Sequence, residues 1–198
     1  DQYVRGIAYA GIQRSVQLFT PKVEDQYNVV DPYTQKPIKH KVITGDSGQT
    51  YSRVGQVDTL AALGLNSAIY DEKSLTIDRG TLTDSKVIWT PINGFTNDPN
   101  AVLEGQTYTI SVKKFAKDVT VKYVDQDDQV ITNANGDTTE TLSGDVGDAY
   151  QTTQKALAGY TFKKAEGNTT GQFSDSAQTV IYHYAKKEYN VTVKYVVL

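Results

Sequence analysis

At 198 residues, 38% hydrophobic and 22% charged, the chain can hold one large domain or two small ones and is too apolar for a disordered segment. The absence of cysteine excludes disulfide frameworks, thiolate zinc sites and cysteine nucleophiles, and two histidines, His40 and His183, leave imidazole chemistry little to draw on. A net charge of −3 lacks the basic footprint of a nucleic-acid binder, and no apolar run approaches the roughly 20 residues of a membrane span.

With no methionine and no signal peptide, the sequence reads as a section of a longer protein. Asp outnumbers Glu 17 to 6, and Tyr occurs 14 times. Asp and Gly favour turns, while Tyr, Thr and Val fit pleated strands, so the fold expected is α+β and strand-rich.

Taken in chain order, the first strand-like run is Lys39 to Thr44. It leads into Gly45-Asp46-Ser47-Gly48-Gln49-Thr50-Tyr51, and Val57 to Leu63 is then helix-compatible and stopped by Gly64. Residues 81–106, with the single tryptophan Trp89 and with Phe95, read as an insertion. Thr107 to Lys113 alternates with period two, as a half-buried strand does, and so does Val119 to Val124. Thr138 to Ser143 then precedes Gly144-Asp145-Val146-Gly147-Asp148-Ala149-Tyr150, a second copy of G-D-x-G-x-x-Y offset by 99 residues. Thr152 to Ala158, closed by Gly159, is the corresponding helical candidate, and Thr179 to Tyr184 closes the copy as a strand.

Each copy therefore reads as two strands, a short helix and two or more further strands, a mixed sheet over one helix in a β-grasp (ubiquitin-like) arrangement. The boundaries expected are 1–117 for a larger unit, 118–188 for a second, and 189–198 for a final strand or the start of another repeat. Val-Thr-Val-Lys-Tyr-Val occurs at both 119–124 and 191–196, as in a tandem array. The connection near Ala116-Lys117-Asp118 is short and free of Gly or Pro, so the units are expected end to end as a stiff, elongated rod.

Several patterns bear on chemistry. Gly45-Asp46-Ser47-Gly48 imitates the surroundings of a serine-protease nucleophile, but Val146 replaces Ser47 in the second copy, so the pattern survives without its hydroxyl. Turn formation explains it better, with Tyr51 and Tyr150 packed beside the helix start, and no enzymatic constellation emerges. Asp125, Asp127 and Asp128 cluster as hard-cation ligands do, which makes calcium the one cofactor to consider. Gln129 and Val130 fail the EF-hand spacing, and a solvated hairpin turn explains the cluster better. Trp89 and Phe95 are candidate sugar-stacking rings, although a lone Trp is more often a core residue.

The second copy closely resembles the MucBP-type repeat of mucus-binding surface proteins of lactic acid bacteria. The matching elements are Val119 to Asp125, Glu140 to Tyr150, Gly159-Tyr160-Thr161-Phe162, Gly171-Gln172-Phe173 and Val180 to Tyr184. The first copy resembles the companion domain of the long Mub repeat, mainly through Gly45 to Tyr51. The resemblance implies β-grasp-like units in tandem, a parent protein anchored in the bacterial cell wall, and non-enzymatic adhesion to mucin glycoproteins. Two rivals stay open: binding of immunoglobulin or another host protein through a sheet edge, and a passive spacer. Mucin glycans are often acidic, and residues 1–117 carry a net +1 against −4 for 118–198. The glycan contact is accordingly expected on the first unit, at Lys39, Lys41, Lys113, Lys114, Trp89 and Phe95.

Overall fold

A computed structural model describes residues 19–198, which divide after Val112 into two compact units. Both are strand-rich with almost no helix.

In the first unit, β1 (Lys22–Val30) and β2 (Pro37–Asp46) form an antiparallel hairpin, followed by β3 (Thr50–Tyr51), the one-turn helix α1 (Leu60–Leu63), β4 (Thr76–Ile77), β5 (Val87–Ile88) and β6 (Val102–Ser111). The main sheet runs β2-β1-β6-β4, and its central pair, β1 and β6, is parallel. In β1 the residues Val23, Asp25, Tyr27 and Val29 are all fully buried at period two. Tyr27 and Val29 share one core with Ile43, Ile110 and the Leu60 and Leu63 side chains of α1. The helix opens at Thr59, whose Oγ1 accepts from the Ala62 amide, and stops at Gly64 in the left-handed conformation (φ 70°).

The second unit repeats this topology. It comprises β7 (Val119–Val124), β8 (Thr132–Asn133), β9 (Gly136–Asp137), β10 (Glu140–Leu142), β11 (Ala149–Gln151), β12 (Tyr160–Glu166), β13 (Thr170–Gln172) and β14 (Gln178–Lys186). Its sheet runs β10-β7-β14-β12, again with a parallel central pair, β7 and β14. Val119, Val121, Tyr123, Val180, Tyr182 and Tyr184 line the core face.

Two expectations are corrected here. The helix of the first unit covers Leu60–Leu63 rather than Val57 to Leu63, and residues 152–158 form no helix. In this segment tyrosine side chains take backbone groups that a helix would have paired internally. The Tyr184 hydroxyl donates to the Lys155 carbonyl (2.6 Å) and accepts from its amide (3.1 Å), while the Tyr123 hydroxyl donates to the Thr153 carbonyl (2.8 Å). Val191 to Val196, although identical in sequence to β7, forms no strand.

Candidate functional site

The G-D-x-G-x-x-Y element builds the same corner twice. Gly48 (φ 84°) and Gly147 (φ 96°) take the left-handed conformation that a side chain resists, turning the chain after Asp46 and Asp145. Trp89 closes the first corner: its amide donates to the Gln49 carbonyl and its carbonyl accepts from the Gly48 amide. Phe173 does the same in the second, with Asp148 and Gly147. A Cβ on Gly45 would sit 2.3 Å from the Trp89 ring, and one on Gly144 would sit 2.6 Å from Phe173. Trp89 is thus the counterpart of Phe173 and lies against the core, its indole N–H donating to the Ile43 carbonyl (3.1 Å) and its ring on Tyr51. Ser47 and Val146 occupy equivalent turn positions, and His40 is bonded to Asn28 (2.7 Å), so the hydroxyl at Ser47 belongs to a turn.

The other residues singled out from the sequence do not converge. Lys41 donates to the Gln56 (2.5 Å) and Ala62 (3.2 Å) carbonyls, holding α1 to β2, and the Lys39 ammonium lies beside Gly64. Phe95 is 77% exposed in the loop before β6. Lys113 and Lys114 fall in the second unit, where they pair with Asp148 (2.7 Å) and Asp175 (3.9 Å). The Asp125 carboxylate accepts from the Asp127 (2.9 Å) and Gln129 (3.0 Å) amides, which folds the 125–129 turn, and Asp128 sits at φ 58° within it. Asp127 and Asp128 are exposed, and among the described residues no group of three His, Cys, Asp or Glu could hold a metal ion.

Two constellations escaped the sequence reading. In the first unit a charge relay is buried on the core face. The Arg53 Nε donates to the Tyr27 hydroxyl (3.0 Å), the two hydroxyls of Tyr27 and Tyr51 lie 2.5 Å apart, and Tyr51 donates to Asp25 (2.8 Å). Because the Tyr51 proton is committed to Asp25, Tyr27 donates to Tyr51, and the chain of donors runs in one direction from cation to anion. Burial, then hydrogen bonding to Tyr27 and Asp25, pushes the Tyr51 phenol far above its ordinary range. Arg53 also stacks on Tyr108, 4.5 Å from the ring centroid. A β-bulge admits Asp25: β6 carries one extra residue opposite it, and the Gln106 amide donates to its carboxylate (2.9 Å).

The second constellation is a groove of about 630 Å³ on the side of the second unit's sheet away from its core. Alternation along β7 and β14 puts Lys122, Ile181, His183 and Ala185 on this face, opposite the buried Tyr123, Tyr182 and Tyr184. Strand β12 should alternate likewise, but Phe162 pairs with Tyr184 and Lys164 with the adjacent His183, leaving Lys163 as an extra residue. This bulge restores Lys164 and Glu166 to the outer face and places Lys163 beside them. His183 is the centre of the floor, its Nε2 3.0 Å from Glu166 and its Nδ1 3.6 Å from Asp128. The 125–129 turn forms one wall and is tied to β14 by the Lys186 amide, which donates to Gln126 (3.1 Å). Two consecutive lysines interrupting the alternation of a strand were the one sequence signal for this groove.

Residues 118–185 match the MucBP domain. Internalin J of Listeria monocytogenes serovar 1/2a is 41% identical over 123 residues, 59% of this chain and 13% of that protein. Internalin I of serotype 4b is 31% identical over 160 residues, 78% of this chain and 9% of that protein. The chain therefore spans about a tenth of these relatives. Among solved structures, Mub-RV is 13% identical with a TM-score of 0.24, covering 83% of this chain and 99% of that one. A type 2 repeat of the mucus binding protein MUB from Lactobacillus reuteri is 15% identical, also with a TM-score of 0.24, covering 82% and 98%. With TM-scores of 0.24 these superpositions carry no argument, and the likeness to a known family is the sequence match of residues 118–185 to the MucBP domain.

Proposed function

We propose that this chain is a non-enzymatic repeat of a bacterial surface adhesin and that it binds mucin glycans. The observation that carries the reading is the MucBP match over 118–185, which covers 68 of the 86 residues of the second unit. The topology agrees with a β-grasp-like repeat: in each unit a mixed four-stranded sheet has its first and last long strands as a parallel central pair. The first unit, built on the same corner and sheet order, is its companion. The parent protein, on this reading, is held at the cell wall and presents such repeats in series, so that weak single contacts gain about 10²- to 10⁴-fold by avidity.

A second reading has its own observation. Among the described residues β2 is a ten-residue edge strand with one side unpaired, a template on which an extended segment of a host protein such as an immunoglobulin could add. One experiment separates the two. The 198-residue chain is passed over immobilised mucin before and after removal of its O-glycans, and over immunoglobulin G. Binding that disappears with the glycans supports the glycan reading, and binding that survives their removal refutes it.

A further inference from the structure

We infer that the outer groove of the second unit is the glycan site, and that it takes an acidic sugar residue, one carrying a carboxylate or a sulfate ester. This rests on the glycan-binding reading above and moves the contact from the first unit, where charge along the sequence puts it, to the second. Two of the groove's three carboxylates already have internal partners. Asp125 accepts from two backbone amides of its own turn and Glu166 is hydrogen-bonded to His183, while Asp128 is exposed to solvent, 3.6 Å from the other nitrogen of the same ring.

Its three ammonium groups make no ion pair, although Lys122 is near enough to Asp137 to help hold that carboxyl below its ordinary range. Lys122, Lys163 and Lys164 line the groove, and no acidic group among the described residues lies within ion-pairing distance of them. An ammonium donates three hydrogen bonds and accepts none. The open capacity of the groove is therefore donor-rich and cationic, although its formal charges balance. A ligand that fits must be rich in acceptors and negatively charged.

The groove is also shaped rather than flat. Lys164 lies opposite His183 across the β12–β14 pairing, Lys122 projects from β7 on the far side of β14, and Lys163 is added by the bulge. The anion would therefore be approached from two strands at once. Val124, Val130 and Ile181 supply apolar floor against which a sugar ring can lie. A groove of about 630 Å³ is in the usual range for a small-ligand site. The bulge sets this up: with regular alternation Lys164 would point to the side that Tyr182 and Tyr184 occupy.

The test uses the intact 198-residue chain and three soluble probes: sialyllactose, a sulfated N-acetyllactosamine and neutral lactose. Amide shifts are followed by NMR as each is added. The acidic probes should perturb Lys122, Lys163, Lys164 and His183, with affinity falling as salt is raised, and lactose should not. Whichever acidic probe binds more tightly identifies the anion as carboxylate or sulfate. Reversing the charge of all three lysines (Lys122→Glu, Lys163→Glu, Lys164→Glu) should weaken the acidic probe at least about tenfold. Lys86→Glu, an exposed change in the first unit, should leave it unchanged. The wild-type NMR map does not depend on any variant folding.

Shifts confined to the first unit, equal binding of lactose, or full affinity in the triple variant would each overturn the inference. Native-mucin binding by the same chain keeps the two readings apart. A chain that loses mucin when O-glycans are stripped, yet shows no acidic-sugar shifts in this groove, keeps the glycan reading and loses the site.

Discussion

Replacing Asp25 by alanine should destabilise the first unit by about 3–5 kcal/mol, the loss of two hydrogen bonds to a buried carboxylate. Asp25 is fully buried and accepts from the Tyr51 hydroxyl at 2.8 Å and the Gln106 amide at 2.9 Å. Hydrogen bonds to a charged group contribute about 1.5–3 kcal/mol each, and both donors would be left unsatisfied in a site closed to water. The relay also loses its anion, and Arg53, 2% exposed, is left with the Tyr27 hydroxyl, Asp84 and two carbonyls. A unit of this size has roughly 5–14 kcal/mol in total, so the variant should still fold in water. Trp89 is the only tryptophan and belongs to the first unit, and its fluorescence during urea unfolding therefore reads that unit alone. With a slope of about 1.5 kcal/mol per molar urea, the midpoint should fall by roughly 2–3 M. Asp25→Asn keeps one acceptor oxygen and should lose about half as much. A loss under about 1 kcal/mol for Asp25→Ala would refute the relay as a source of stability.

Other consequences follow from the same contacts. Gly105→Ala would put a Cβ 2.4 Å from the Asp25 carboxylate and 2.6 Å from the Glu24 carbonyl, and should cost about 3 kcal/mol by the same fluorescence assay. Tyr184→Phe removes the hydroxyl that bridges both backbone groups of Lys155, and should cost the second unit about 1–2 kcal/mol by circular dichroism, with the Trp89 transition unmoved. The Tyr123 phenol is pushed up from 10.0 to about 12 by burial and then by Tyr182 and Tyr184. An unfolded chain releases this proton near 10 while the folded one holds it, so the stabilisation is complete below pH 10 and is lost as pH rises through about 12. Tyrosinate absorbance in the folded protein should show this late group, and Tyr123→Phe should remove it.

What could be read from the sequence were elements whose local pattern agrees with their surroundings. Val119 to Val124 matches its strand residue for residue, because its alternation is unbroken and its inward side chains are all apolar. The paired corners were visible because Gly48 and Gly147 are required by backbone geometry whatever surrounds them. β1 passed unnoticed for the opposite reason: a buried Asp25 occupies the inward position between Val23 and Tyr27, and only the tertiary partners Tyr51 and Gln106 make that tolerable. The helix expected at 152–158 failed because its competitors, the hydroxyls of Tyr123 and Tyr184, are about 30 residues away in the chain. Trp89 was placed in an insertion because 84 residues, not 99, separate it from Phe173, and only the shared hydrogen bonds reveal the equivalence. The lysine groove depends on a one-residue bulge in β12, whose trace in the sequence is the consecutive pair Lys163-Lys164.

The most direct measurement of the central claim is a glycan array carrying neutral, sialylated and sulfated mucin-type chains, with immunoglobulin G and other host glycoproteins stripped of their sugars on the same surface. It would be probed with the intact 198-residue chain at physiological salt and again at high salt. The account predicts retention on acidic glycans, weakened by salt, and none on the stripped proteins. Retention on the stripped proteins alone, or on neutral and acidic glycans alike, would contradict it.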